Sequence, residues 1–178
     1  MSGIYLRELG EADMALVNAW RRDREVTDLL CGPFRHVSIE TDVAWFRGYA
    51  SSRASATRLA ICLRENDRHV GNLYLLDAQP IERACEFHIL IGDRAQRGKG
   101  LGKEATILGL RHAFHDGNMH RVHLRVLAAN TRAVSLYKKC GFTLEGVLRD
   151  AAFKNGKFLD VQLMSMLRDE FDARHGNG

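Results

Sequence analysis

Between Glu86 and Lys103 the chain runs Glu-Phe-His-Ile-Leu-Ile-Gly-Asp-Arg-Ala-Gln-Arg-Gly-Lys-Gly-Leu-Gly-Lys. Phe87 to Ile91 is a short apolar run with β-branched residues, the pattern of a buried strand. Arg97, Gly98, Lys99, Gly100, Leu101 and Gly102 follow as a glycine-rich basic loop. A helical pattern starts at once, with Leu101, Ala105 and Leu108 on one face and Ile107, Leu110 and Phe114 widening it. A strand, a glycine loop and a helix start aim free backbone N–H groups and the positive end of a helix dipole at one spot. A phosphate fits there, because glycine lets the backbone approach it closely.

Spacing narrows the kind of phosphate. A Walker loop requires Gly-Lys followed by Ser or Thr, and here Gly98 and Lys99 precede Gly100. A Rossmann fingerprint requires its third glycine where Lys103 stands, and the acid expected to bind ribose after the next strand is missing. The pattern Gln/Arg-x-x-Gly-x-Gly/Ala is met by Arg97, Gly100 and Gly102. It resembles the pyrophosphate loop of the GNAT superfamily of acetyl-CoA-dependent N-acetyltransferases. A glycine-rich helix start that merely turns the chain is the weaker reading, given Arg97, Lys99 and Lys103 beside it.

At 178 residues the chain is expected to form one domain over 1–173, with 174–178 a disordered tail. No apolar run approaches a membrane span and no signal-peptide pattern opens the sequence, so a cytoplasmic location is expected. Cys31, Cys62, Cys85 and Cys140 show no C-x-x-C pairing and read as thiols of a reducing compartment. A net charge of +4 is compatible with nucleic acid, an anionic membrane or an anionic ligand. The excess gathers around the loop (Arg94, Arg97, Lys99, Lys103) and again at Arg132, Lys138 and Lys139. The phosphates of coenzyme A would account for both groups. Nucleic acid is disfavoured, since no aromatic residues interleave the basic ones.

Strands are expected at Ile4–Glu8, Arg58–Arg64, Val70–Leu76, Phe87–Ile91 and Val122–Val126. Two more, Phe142–Leu148 and Phe158–Leu167, flank the tight-turn signal Asn155-Gly156. Helices are expected over Ala12–Trp20, Arg24–Leu30, from Ser38 to Tyr49, after the glycine loop, and from Asn130 or Thr131 to Cys140. The unit from Phe87 through Val126 reads as a right-handed parallel crossover in an α/β layered domain.

Asn130 to Phe142 runs Asn-Thr-Arg-Ala-Val-Ser-Leu-Tyr-Lys-Lys-Cys-Gly-Phe. It resembles a second GNAT pattern, Asn-x-x-Ala-x-x-x-Tyr-x-Lys-x-Gly-Phe, and stands at the right separation from the loop. The resemblance covers about half the chain, from near Glu82 to Phe142. A weaker match through Glu145–Arg149 and Asn155-Gly156 to Asp160, with Arg83–Phe87, is similar to the branch of spermidine and ribosomal-protein N-terminal acetyltransferases. The family resemblance implies a mixed, mostly antiparallel sheet of about seven strands with a V-shaped splay, flanked by about four helices.

The same resemblance implies a site. Backbone groups of His88, Ile89, Leu90 and Ile91 would bind the pantetheine amides of acetyl-CoA as an added strand would. Loop N–H groups from Arg97 to Lys103 would hold the pyrophosphate, with Asn130, Ala133 and Lys138 along the other wall. Tyr137 takes the family's tyrosine position and would protonate the departing thiolate. Glu86 reads two ways: an acceptor of the amine proton, directly or through water, or a strand-end carboxylate in a salt bridge. His88 either faces the acceptor or merely fills the strand. His112, His115, His120 and His123 crowd together, but no cysteine or carboxylate completes a zinc set, so no metal is expected. Trp20, Trp45 and Phe46 read as core.

The expected activity is acetyl transfer from acetyl-CoA to a primary amine of a small molecule, a polyamine or amino sugar. The alternatives are a protein N-terminal acetyltransferase and a non-catalytic acyl-CoA-binding module. A homodimer or higher homo-oligomer is expected. Leu29 to His36 lacks the carboxylates suited to a polyamine, and Arg35 with His36 would repel one; Glu40, Asp42, Asp77 and Glu82 are the remaining sources of negative charge.

Overall fold

The computed structural model describes residues 3–51, 53 and 55–176. Among these residues seven strands form one sheet: β1 (Ile4–Glu8), β2 (Thr57–Leu63), β3 (His69–Gln79), β4 (Ala84–Ile91), β5 (Arg121–Leu127), β6 (Thr143–Lys154) and β7 (Lys157–Leu167). Their order is β1-β2-β3-β4-β5-β7-β6. β4 and β5 pair in parallel, and every other neighbouring pair is antiparallel. The helices are α1 (Met14–Arg22), α2 (Arg24–Thr27), α3 (Ile39–Ser51), α4 (Leu101–Arg111), α5 (Thr131–Cys140) and α6 (Arg168–His175).

Local chemistry sets several boundaries. Ser38 Oγ accepts from the Thr41 N–H at 3.3 Å and opens α3. Asn130, rather than Thr131, caps α5, its Oδ1 accepting from the Ala133 N–H at 3.2 Å. Asn155 and Gly156 join β6 to β7 with φ of 49° and 80°, the two-residue turn whose twist suits a hairpin. The helix that follows the glycine loop leaves α geometry at Arg111 and adds a π-helical turn over His112–Asp116.

Alternation along the strands packs apolar groups on both faces of the sheet, with a smaller cluster of Leu127, Ala152 and Val161 beside them. Ile61, Leu73, Phe87 and Leu124 face α4, α5 and α6, where they meet Ala105, Leu110, Val134, Tyr137 and Phe171. Ala60 and Cys62 face the other way, onto Met14 and Val17 of α1, with Val43, Trp45 and Phe46 of α3 packed alongside. Trp20 is buried as well, so all three aromatics read as core serve as packing.

α6 is a correction. Arg174 and His175, expected to begin a disordered tail, form its last turn, while Asn177 and Gly178 lie outside the described residues. Its one buried residue, Phe171, is surrounded in sequence by charged residues, so no apolar period announces the helix. Phe171 nevertheless packs on Phe114, ring centroids 5.3 Å apart.

The feature that positions the site is a short parallel ladder. β4 and β5 pair only at Ala84–Arg121, Cys85–Val122 and Glu86–His123. β3 stays on β4 through Ile91, and β7 stays on β5 through Leu127. Each half of the sheet therefore stays intact while the halves part beyond Glu86 and His123. One edge of β4 is left without a strand partner from there on.

Candidate active site

A cleft of about 910 Å³ opens along that gap. β4 and β5 form its floor, and α1, the 28–38 segment, the start of α4 and α5 form its walls. Most of the residues singled out from sequence line it: Glu86, His88, Ile89, Leu90 and Ile91 from β4, Arg97, Gly98, Gly100, Gly102 and Lys103 at the loop, and Asn130, Ala133 and Tyr137 around α5.

Three do not. Lys99 is exposed and bonds Gln96 Oε1 at 3.2 Å, and Leu101 turns into the core. Lys138 lies only in a neighbouring shallow depression with Ala128 and Gln162, whereas Lys139 borders both that depression and the cleft. Helical periodicity is the reason. Arg132, Ser135, Leu136 and Lys139 share a stripe facing the cleft, and Lys138 falls a step round the helix with Val134. Lys139 is also the lysine aligned with the Asn130–Phe142 pattern.

The glycine loop is built for an anion. Backbone N–H groups of residues 98 to 102 have no backbone or side-chain acceptor among the described residues. Gly98 and Gly100 have φ of 83° and 87°, left-handed values that turn successive N–H groups the same way. Gly100 caps α4, so the positive end of its dipole adds to them. The expected span, Arg97 to Lys103, narrows at both ends. The Arg97 N–H donates to Arg94 O at 3.2 Å, and the Lys103 N–H to Gly100 O at 3.0 Å. Arg97 serves by its side chain, its Nε donating to Ile91 O at 2.9 Å and tying the loop to the end of β4.

Tyr137 projects from α5 toward the parting strands, 7% exposed, its ring edge-on to Phe142 at 5.7 Å. Its hydroxyl has no hydrogen-bond partner among the described residues, and the residue lines the cleft. Burial pushes the phenol well above its ordinary value near 10, so it holds its proton throughout the physiological range.

Glu86 stands where the parallel ladder ends, and is 8% exposed. Arg125 Nε donates to its Oε1 at 3.0 Å, and His88 Nε2 approaches the same oxygen to 3.5 Å, an ion-pair separation rather than a good hydrogen bond. His88, then Arg125, hold the carboxyl at about 2 against the opposing effect of burial. Glu86 is thus ionised and paired. His88 stands half out of the sheet, its side chain 42% exposed, facing the cleft from the same strand.

A family model described as an acetyltransferase (GNAT) domain matches residues 4–143. The chain belongs to the GNAT acetyltransferase family. The spermidine N(1)-acetyltransferase of Vibrio cholerae is 35% identical over 102 residues, 57% of this chain and 58% of that enzyme. The match therefore spans less than two thirds of that relative. The uncharacterized N-acetyltransferase p20 of Bacillus licheniformis is 30% identical over 165 residues, 92% of this chain and 91% of the relative. Among solved structures, the spermidine N-acetyltransferase from Vibrio cholerae in complex with CoA and spermine superposes with a TM-score of 0.90 at 25% identity. That superposition covers 96% of this chain and 99% of the other.

Sequence reasoning missed part of this GNAT cleft. Arg125 alternates with Arg121 and His123 on β5, and three polar side chains on one strand face were the available signal. Arg21 of α1 and Cys31 of the 28–38 segment also line the cleft, and no local pattern marks them; Arg35, read from sequence as repelling a polyamine, lines it too. The histidines disperse: His112 lies 2.8 Å from Asp116 and His115 2.8 Å from Asp172. Among the described residues no three His, Cys, Asp or Glu groups gather as metal ligands, and no helix is long and apolar enough to cross a membrane.

Proposed function

We propose that this chain transfers an acetyl group from acetyl-CoA to the primary amine of a small molecule by direct attack. One observation carries the reading. The unpaired loop N–H groups, the open edge of β4 and the Tyr137 hydroxyl all belong to one cleft. The loop takes the pyrophosphate, and Lys103, Arg132 and Lys139 stand nearby for the remaining phosphate charge. The edge of β4 over residues 88–91 takes the pantetheine amides, and its N–H groups polarise the thioester carbonyl. Acetyl-CoA supplies the activated acetyl group. Tyr137, kept protonated by burial, gives its proton to the leaving sulfur. The relatives named for spermidine favour a small amine over a protein N-terminus.

Glu86 acts electrostatically in this reading. Proton transfer from an alkyl ammonium of pKa ~10 to a carboxyl at about 2 is uphill by roughly 10 kcal/mol, so the proton leaves through solvent. Glu86 orients Arg125 and His88 and draws the ammonium in. Glu86→Gln is expected to slow acetyl transfer by the same factor from pH 6 to pH 10, with acetyl-CoA affinity kept. Its stability cost has a definite pH window. The folded carboxyl sits below its ordinary 4.5, so its contribution is complete above that pH and fades as pH falls toward 2. The melting temperature of the variant should lie below the parent's at neutral pH, the gap closing over that acid range. A rate deficit that shrinks as pH rises would instead restore Glu86 as the base.

A panel of primary amines with acetyl-CoA, read by thiol release and product mass, tests the activity. Release matched by an acetylated product is expected for at least one small amine. Tight CoA binding with no product from any amine would make the chain a binding module. A cytoplasmic location and a homodimer or larger homo-oligomer complete the proposal. The edge strand β6 supports the latter, exposing Leu144, Val147, Leu148 and Phe153, with Phe158 beside them on β7.

A further inference from the structure

We infer that the acceptor is an amine that also carries an anion, a phosphate or carboxylate, and that Arg35 receives that anion. The inference rests on the acetyltransferase reading and concerns the part of the cleft away from the glycine loop. Arg97, Lys103, Arg132 and Lys139 are left aside, because they stand by the loop and α5 where coenzyme A phosphates belong.

Among the described residues lining the cleft, Glu86 is the one carboxylate. It is already engaged by Arg125 and His88. The acids that sequence offered for a polyamine are elsewhere. Asp42 is fully buried, bonded to Arg21 and to Asn18. Glu40, Asp77 and Glu82 are exposed and do not line the cleft. Against this stand Arg21 and Arg35. Arg35 is exposed and has no ion-pair or hydrogen-bond partner among the described residues. A polyamine, positive at every nitrogen, would have Glu86 for one nitrogen, no carboxylate for the others and an unpaired cation facing them. An amine bearing an anion leaves its ammonium for Glu86 and its negative group for Arg35.

The segment presenting Arg35 is anchored, which makes this a built site. Lys154, 6% exposed, donates from Nζ to Thr27 O at 2.7 Å and to Gly32 O. Asn130 Nδ2 donates to Leu29 O at 3.2 Å, and Asn18 Nδ2 to Val37 O at 3.0 Å. The Arg24 guanidinium lies 4.1 Å over the Phe34 ring, next to Arg35. Contacts from α1, β6 and the α5 cap therefore hold both ends of the segment against the cleft.

Calorimetry with CoA present at saturation tests this, since CoA fills the loop and leaves only the acceptor end to report. The probes are glucosamine, glucosamine 6-phosphate, UDP-glucosamine and spermidine. The two anionic amines are expected to bind about 10-fold or more tightly than glucosamine, with spermidine weakest, and to weaken as salt rises. Arg35→Ala should remove most of the preference and Arg35→Glu should reverse it toward spermidine. Arg35 is exposed and unpaired, so both variants are expected to fold, and circular dichroism checks this. Spermidine binding at least as tightly as the anionic amines, or a preference that survives Arg35→Glu, overturns the inference. Binding is read without turnover, so an anionic preference in a protein that acetylates nothing would overturn the acetyltransferase reading alone.

Discussion

Tyr137→Phe should lower the rate of acetyl transfer by ~10²–10⁴-fold, the range general acid catalysis supplies, while acetyl-CoA affinity stays nearly unchanged. The substitution removes one hydroxyl and keeps the ring that packs on Phe142. The hydroxyl has no protein partner among the described residues, so its loss strands no buried group and stability should be nearly unaffected. The effect should fall on turnover and on its ratio to KM alike, because the missing interaction is made with charge that develops only as the thiolate leaves. Burial holds the phenol protonated, so parent turnover should show no loss from Tyr137 ionising as pH rises past 8. Single-turnover measurements at saturating acetyl-CoA separate the transfer step from product release. A transfer rate equal to the parent's would leave Tyr137 a packing residue.

Gly100→Glu should abolish measurable acetyl-CoA binding, a loss of at least ~100-fold, in a protein that still folds. Two effects act together. Gly100 sits at φ of 87°, where a side chain costs ~1–2 kcal/mol. A Cβ there meets no protein atom within 4 Å, so the new carboxylate projects into open space beside the loop N–H groups. It would lie where the proposed pyrophosphate lies, and two like charges at ~4–6 Å repel by several kcal/mol at the effective dielectric of a protein surface. Gly100→Ala carries the strain without the charge and should lose much less affinity, which separates the contributions. Calorimetry with acetyl-CoA on the folded variants is the measurement, and unchanged affinity in Gly100→Glu would remove the loop from the cofactor site.

Whatever depends on neighbours along the chain was legible in the sequence. The glycine loop needs left-handed φ within a few residues of a helix start, a cap at Asn130 or Thr131 was expected and Asn130 supplies it by reaching Ala133, and Asn155-Gly156 closes its own hairpin. Apolar runs and alternation also located each strand of the sheet, while β3, β4 and β6 run on past the expected bounds into polar residues whose pairing only the sheet supplies. Tyr137 was singled out differently, by the family resemblance of the Asn130–Phe142 run, and the structure places it in the cleft. The helix α6 escaped, since its stability comes from one aromatic docked on the π-helical turn rather than from its own pattern.

The tertiary structure alone decided where the cleft opens and what lines it. The strands part at Glu86 and His123 while β4 stays on β3 and β5 stays on β7, an arrangement that neither strand's sequence contains. Arg125 meets Glu86 from 39 residues away and, together with His88, holds that carboxyl well below its ordinary value. Lys154 secures the segment bearing Arg35 through Gly32 O, 122 residues away in sequence. Lys139 rather than Lys138 faces the cleft because the rotation of α5 is set by Val134, Tyr137 and Cys140 packing into the core. Such contacts depend on the distances and angles between elements, which only packing of the whole chain determines.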